Sequence, residues 1–316
     1  MEEIRLPDGF ACGHATHREA WTGCTVILAP PGAVASGELR GGGPGTHESD
    51  LLSPATSTPG PQAVLLTGGS AFGLAATDGV TRWLAERDIG HPTPMAIVPL
   101  VSGAVVYDLL LGDPATRPGS GAGYAACEAA GPVVERGSVG AGTGCTVGKL
   151  LGPAGWTKGG LGAARTTVGD ASIVAIAAVN PVGDVIAADG SIAAGAWRDG
   201  AFVPSVELLR SGRRPPIEER QNTTLVCLVT DARLTKTEAW QVSRAASAGV
   251  ARAISPCGTA WDGDMVFCMA SGKAEVDRFA LSALAAEVTS AAIRDAVATA
   301  TAAPGCPTAA ERMATR

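Results

Sequence analysis

The stretch ASIVAIAAVNPVGDVIA, residues 171 to 187, limits the fold more than any other segment. Its two apolar runs flank Asn180, Pro181, Val182 and Gly183, a pattern that reads as a hairpin of antiparallel strands. QAVLLTGGSAFGLAATDGVTRWLAER reads as a buried strand, a glycine turn and a helix with Leu74, Val80, Trp83 and Leu84 on its apolar side. PMAIVPLVSGAVVYDLL is a strand with its continuation, and GSGAGYAACEAAG is a helix of small residues that lets neighbours approach closely. TTLVCLVTDA is a further strand, followed by LTKTEAWQVSRAASAGVARAI, a helix that turns Leu234, Trp240, Val242 and Val250 inward. DMVFCMASG resumes strand character, and VDRFALSALAAEVTSAAIRDAVATA is a long amphipathic helix. Strands and helices mixed in this order, with a hairpin among them, disfavour a purely parallel doubly wound sheet. The tail from Pro304 is expected to be mobile.

With 316 residues, 46% hydrophobic and 17% charged, the chain has ample material for a large core. It carries 42 Gly and 21 Pro but only 4% aromatic residues, so it must turn often and pack small side chains closely, as layered α/β architectures do. No composition break separates two cores, and a single domain over residues 1–316 is expected. The balance of 24 basic against 30 acidic residues argues against a nucleic-acid or membrane partner. The start, MEEIRLPDGF, lacks the basic and apolar regions of a secretory signal, and a cytoplasmic location is expected. Eight cysteines, at 12, 24, 127, 145, 227, 257, 268 and 306, form no CxxC pair and are read as buried reduced thiols.

Several glycine motifs fail on inspection. GTGCTVGK, residues 142 to 149, lacks the Gly at 143 and the Ser or Thr at 150 that a phosphate-binding loop requires. GAGTGC and GSGAGY have the wrong spacing for a dinucleotide fingerprint. Ser70 in TGGSAFG is one residue out of register for a nucleophile elbow; Gly69 and Ser70 instead read as a turn presenting backbone N–H groups, either structural or lining a substrate site. No zinc-type spacing occurs, and neither metal nor organic cofactor is expected.

One seam carries chemistry. RRPPIEERQNTTLVCLVTDA, residues 213 to 232, passes from a charged, proline-broken linker into a strand, with Asn222, Thr223 and Thr224 at the junction. A threonine hydroxyl becomes a useful nucleophile when its own freed α-amine takes the proton. Such an amine has an ordinary pKa near 7.7 to 8.0, so a working fraction is neutral at cellular pH. An interior Thr223 acquires that amine only by attacking the Asn222 carbonyl and letting water release a new amino terminus. The alternative reading of Asn222-Thr223-Thr224 is an ordinary strand start.

Taken together, Asn222-Thr223-Thr224 before a strand, VTDA followed by LTK, DGDMVF, TGGSAFGL and PLVSGAVVYDL resemble the P1 family of self-processing hydrolases. This family includes the L-aminopeptidase/D-esterases, the β-peptidyl aminopeptidases and the nylon-oligomer hydrolases. The resemblance runs from GHATHREAWTGCTVILAP to the last helix. Many members have serine at the cut and a serine and glutamate pair downstream. Thr223 with Asp262 and Asp264 is more similar to the nylon-oligomer endo-hydrolase branch.

The resemblance implies a four-layer α/β/β/α sandwich of the N-terminal-nucleophile-hydrolase kind with mixed and antiparallel sheets. It also implies processing into chains 1–222 and 223–316, and a homo-oligomer, a tetramer of processed heterodimers. By the same resemblance Thr223 is the nucleophile, and Asp262 and Asp264 orient it and hold the new ammonium. Lys149 steadies a developing anion, Asn180 offers an amide N–H to the oxyanion, and Tyr107 lies near the reacting carbonyl. The expected substrate is a small-molecule amide or short peptide, with aminohexanoate oligomers as one class and aminopeptidase action as the alternative. A reading from a different class is an unprocessed, non-catalytic binding protein.

Overall fold

The computed structural model describes residues 3–212 and 222–314; the linker reading of 213–221 falls outside them. Two five-stranded sheets organise the chain. The first runs Ala11–His17, Thr22–Leu28, Ala63–Thr67, Val101–Val105 and Thr46–His47 in spatial order. The second runs Gly160–Val168, Ala171–Asn180, Thr223–Ala232, Met265–Ala274 and Val34–Leu39. Each sheet is antiparallel except for one central parallel pair, Ala63–Thr67 with Val101–Val105 in the first and Thr223–Ala232 with Met265–Ala274 in the second.

Three apolar clusters define four layers. Between the sheets, Ile27, Val64 and Leu66 of the first meet Ile176, Leu225, Phe267 and Met269 of the second. On the outer face of the first sheet, Val26 and Leu65 pack under Val80, Leu84 and Ala126 of the helices Ala76–Ala85 and Ser120–Glu128. On the outer face of the second, Ile173, Val226 and Leu228 pack under Val242, Ala246, Leu281 and Val288 of the helices Lys236–Ala253 and Arg278–Ala298. A central strand thus buries both faces, which is why TTLVCLV reads as a continuous apolar run rather than an alternating one. The result is the α/β/β/α sandwich with mixed sheets expected from the resemblance.

Local chemistry starts the helices where the sequence suggests. Thr235 caps Lys236–Ala253 in a reciprocal box with Glu238, and Asp277 caps Arg278–Ala298 through the Ala280 N–H at 2.9 Å. The small-residue helix does let its neighbour approach: a Cβ on Gly123 would lie 1.9 Å from the Ala76 carbonyl oxygen. Seven of the eight cysteines are buried; Cys257 is partly exposed. Among the described residues no helix is long and apolar enough to cross a membrane.

Two expectations are corrected. Residues 171–187 are not a hairpin: Ala171–Asn180 pairs with Gly160–Val168 and Thr223–Ala232, while Asp184–Ile186 pairs with Ile192–Ala194 and Ile254–Ser255. Pro181 has no N–H for the ladder, so the chain leaves the sheet after Asn180 instead of folding back. The true hairpin turns at Gly169 and Asp170, with Gly169 at φ 60. The tail is packed, not loose: Cys306 is buried beside Trp156, and Arg312 of the helix Ala309–Ala314 donates to the Ala154 and Trp156 carbonyls.

Candidate active site

Strand direction brings the site together. Thr223–Ala232 is parallel to Met265–Ala274, so both strands begin at the same edge, and a bridge pairs Asn222 with Asp262 there. Ala171–Asn180 is antiparallel to Thr223–Ala232, so it ends at that edge, with Asn180 opposite Thr223. Two backbone bonds, Gly148 N–H to Gly183 O and Lys149 N–H to Val182 O, tie Lys149 to the chain just past Asn180. Each of these pairings joins residues more than 30 apart in sequence, yet Asn180, Thr223, Asp262, Asp264 and Lys149 share one corner.

The corner is dry. Asn180 and Asp262 have no exposed surface, and Asp264, Asn222, Thr223 and Lys149 are at most 8% exposed. The Thr223 hydroxyl donates to the Asn222 carbonyl oxygen at 2.6 Å, and the Gly263 N–H donates to that same oxygen at 2.8 Å. Asp264 accepts from the Thr224 N–H at 2.6 Å and the Gly258 N–H at 2.8 Å. Asp262 accepts from the Thr259 N–H at 2.8 Å with Oδ2, while its buried Oδ1 has no hydrogen-bond partner among the described residues. Both carboxylates therefore face the Gly258–Thr259 turn, as alternate positions of an extended segment should.

Burial dominates the electrostatics. It raises the Asp264 carboxyl to about 7, with the neighbouring Asp262 adding to the effect, and it raises Asp262 as well. Burial lowers the Lys149 ammonium to about 7 against the opposing pull of Cys145 and Asp262. Lys149 Nζ donates to the Asn180 carbonyl and to Asn180 Oδ1, both at 2.9 Å. The Asn180 Oδ1 also accepts the Thr146 N–H at 2.9 Å, and Nδ2 donates to the Tyr107 carbonyl at 3.0 Å. The orientation of this carboxamide is fixed from three sides, leaving its N–H edge as the donor edge.

Tyr107 contributes its backbone carbonyl to the corner, which residue type alone does not reveal. Gly69 and Ser70 stand one step away, and the expectation that they present N–H groups needs correction: Gly69 N–H goes to Asp108 Oδ1 at 2.7 Å and Ser70 N–H to the Val106 carbonyl at 3.1 Å. Their φ values of 80 and 53 belong to a sharp turn that Asp108 holds closed. Residues missed in the sequence include Gly263, where a Cβ would sit 2.8 Å from the Thr223 hydroxyl oxygen. The run Gly41-Gly42-Gly43 was missed too, although three consecutive glycines in RGGGPG are a visible signal. A Cβ on Gly41 would lie 2.0 Å from the Asp262 carbonyl oxygen, so only bare backbone fits across the carboxylate segment.

The peptidase family S58 model matches residues 8–310. An uncharacterized aminopeptidase of Mycobacterium leprae is 40% identical over 290 residues, covering 86% of this chain and 74% of that protein. A 6-aminohexanoate-oligomer endohydrolase of Paenarthrobacter ureafaciens is 32% identical over 302 residues, 89% of this chain and 81% of the relative. In structure, the L-aminopeptidase D-Ala-esterase/amidase of Ochrobactrum anthropi, described as a variant of the Ntn hydrolase fold, superposes with a TM-score of 0.72 at 20% identity, covering 100% of this chain and 95% of that one. A Burkholderia β-aminopeptidase superposes with a TM-score of 0.69 at 22% identity, over 93% and 85% of the two chains.

Proposed function

The chain belongs to peptidase family S58, and from that premise we propose that it cuts itself between Asn222 and Thr223 and then hydrolyses short linear amides through an acyl-enzyme on Thr223. It is an amide hydrolase with the N-terminal-nucleophile fold. The observation that carries the reading is the Asn222 carbonyl oxygen, which receives both the Thr223 hydroxyl and the Gly263 N–H. A peptide bond polarised by a fixed donor and touched by a hydroxyl is set up for an N-to-O acyl shift.

In the shift, the Thr223 oxygen bonds to the Asn222 carbonyl carbon and charge collects on an oxygen facing Gly263 N–H. The C–N bond then breaks, and the proton lost by the hydroxyl ends on the departing nitrogen. Water hydrolyses the ester, leaving an Asn222 carboxylate and a free Thr223 amine. Asp262 Oδ1, which has no partner among the described residues, and its buried neighbour Asp264 are a ready seat for that ammonium. In turnover the amine takes the hydroxyl proton, the oxygen attacks the substrate carbonyl, Asn180 Nδ2 stabilises the oxyanion and water releases the acyl product. Lys149 holds the Asn180 carboxamide in place.

The resemblance of Thr223, Asp262 and Asp264 to the nylon-oligomer branch, together with the 32% identical relative named a 6-aminohexanoate-oligomer endohydrolase, favours linear oligomers such as aminohexanoates as substrates. A second reading, release of amino-terminal residues from small peptides, is favoured by the 40% identical relative named an aminopeptidase. The processed pair is proposed to form a homo-oligomer. A denaturing gel with amino-terminal sequencing tests the cut: two fragments are expected, the smaller beginning at Thr223, and active protein that remains one intact chain sinks the proposal. An amine-blocked aminohexanoate oligomer then separates the two readings, because only the endo-hydrolase cuts it.

A further inference from the structure

Lys158 is fully buried, yet the mechanism above makes no use of it. Its Nζ donates to three backbone carbonyls, Gly159 at 2.8 Å, Cys145 at 3.0 Å and Gly142 at 3.2 Å. A buried ammonium is costly relative to an apolar side chain of the same length, so a cation at this position needs a reason beyond filling space. The second of its acceptors supplies one. The Cys145 carbonyl and the Thr146 N–H belong to one peptide group, and that N–H donates to Asn180 Oδ1 at 2.9 Å. An ammonium proton thus meets one end of an amide whose other end meets the oxygen of the Asn180 carboxamide. Lys149 reaches the same Oδ1 directly, at 2.9 Å.

We propose that Lys158 is a positioning residue for turnover: through the peptide group joining Cys145 and Thr146 it holds the Asn180 carboxamide and strengthens its Nδ2–H as an oxyanion donor. Hydrogen-bonded amides in series polarise one another, each bond strengthening the next. A positive charge at the carbonyl end makes the Thr146 N–H a better donor, and a more strongly held Oδ1 withdraws electron density from Nδ2. Asn180 is therefore polarised from two sides, by Lys149 in contact and by Lys158 across one peptide plane. Asp108, Cys145 and Cys306 are the titratable groups that act on Lys158, and the Trp21 ring centroid lies 6.0 Å from its Nζ. Burial pulls its ammonium down to about 8, so the charge is retained at neutral pH.

The inference rests on the proposed role of Asn180 in turnover, and it leaves self-cleavage to Gly263 N–H. The test compares Lys158→Met with Lys158→Arg and wild type, using a linear aminohexanoate oligomer as substrate. The Met variant is expected to cut itself but to lose about 10-fold in kcat with KM little changed, less than the ~100-fold cost of removing an oxyanion donor outright. The Arg variant, which keeps the charge, is expected to recover most of that loss. A folded, processed Met variant with wild-type kcat overturns the proposal, as does an Arg variant no better than Met. Selective labelling decides the matter even where Met fails to fold. In the wild type the Thr146 amide proton and the Asn180 Nδ2 protons should resonate downfield of ordinary amides, and ordinary shifts at both overturn the idea. A Thr223→Ala protein measured alongside keeps the two levels apart: if it stays active, the nucleophile assignment has failed whatever Lys158 does.

Discussion

The two sheets have the same plan and different edges. In each, a hairpin leads into a central strand, that strand runs parallel to the next across a helix, and an antiparallel strand closes the far side. In the first sheet, the edge where the parallel pair begins is closed by ordinary bonds: Ala29 N–H to Gln62 O at 2.9 Å, Gln62 N–H to Leu100 O at 2.9 Å, and Leu100 N–H to Gln62 Oε1 at 2.8 Å. At the corresponding edge of the second sheet stand Asn180, Asn222, Thr223, Asp262 and Asp264. One topology therefore makes either an end sealed by ordinary backbone bonds or one lined with buried polar side chains. The difference lies in a few side chains and in the missing Cβ of Gly263.

The largest effect expected on that contrast is from Thr223→Ala. It should leave the chain whole on a denaturing gel and lower kcat by about 10⁴-fold or more, as loss of a nucleophile does. Next comes Gly263→Ala, whose methyl would press within 2.8 Å of the Thr223 oxygen. Displacing reacting atoms on this scale costs about 100-fold, so cutting should slow visibly in a time course on gels; cutting at the wild-type rate would show that the Gly263 contact is incidental.

The pH dependence of stability sharpens the comparison further, measured on the uncut Thr223→Ala protein by thermal melting. Asp264 is raised to about 7 when folded, above an unfolded value near 3.9. The folded chain then holds more protons than the unfolded one between those values, so stability falls as pH rises from about 4 to 7. Lys149 is lowered to about 7 when folded, below an unfolded value near 10.4. Here the unfolded chain holds more protons, and stability recovers as pH rises above 7. A second change, Asp264→Asn, should flatten the acid limb; an unchanged limb would show that the carboxyl does not titrate there. The smallest effect belongs to the sealed edge: Gln62→Ala leaves the Leu100 N–H without its acceptor and should cost about 1 kcal/mol in denaturant melts, with cutting and turnover unaltered.

Much of this was legible in the sequence, and for stated reasons. Long apolar runs such as TTLVCLV and the capped helix after Thr235 declare themselves through local hydrogen bonding and side-chain periodicity. The hairpin at 171–187 misled because two apolar runs around a Pro-Gly turn look alike whether the strands pair or diverge. Only the loss of the Pro181 donor hints at the divergence. The tail misled because its anchors, Cys306 and Arg312, find partners some 150 residues away.

By itself the sequence determined the layered mixed α/β class, the hydroxyl at the head of a buried strand and the two aspartates that flank Gly263. Those follow from properties that neighbouring residues carry with them: periodicity, side-chain chemistry and spacing. Beyond the groups that the resemblance implied, only the tertiary structure decided how the corner is bonded: which carbonyl takes the Thr223 hydroxyl and which N–H groups fix the carboxylates. Parallel pairing with one strand and antiparallel pairing with another bring a strand end and two strand beginnings to one corner, and the same packing removes water from Lys149, Lys158, Asp262 and Asp264. Desolvation and backbone N–H direction exist only once distant segments are packed, so no reading of residue order could supply them.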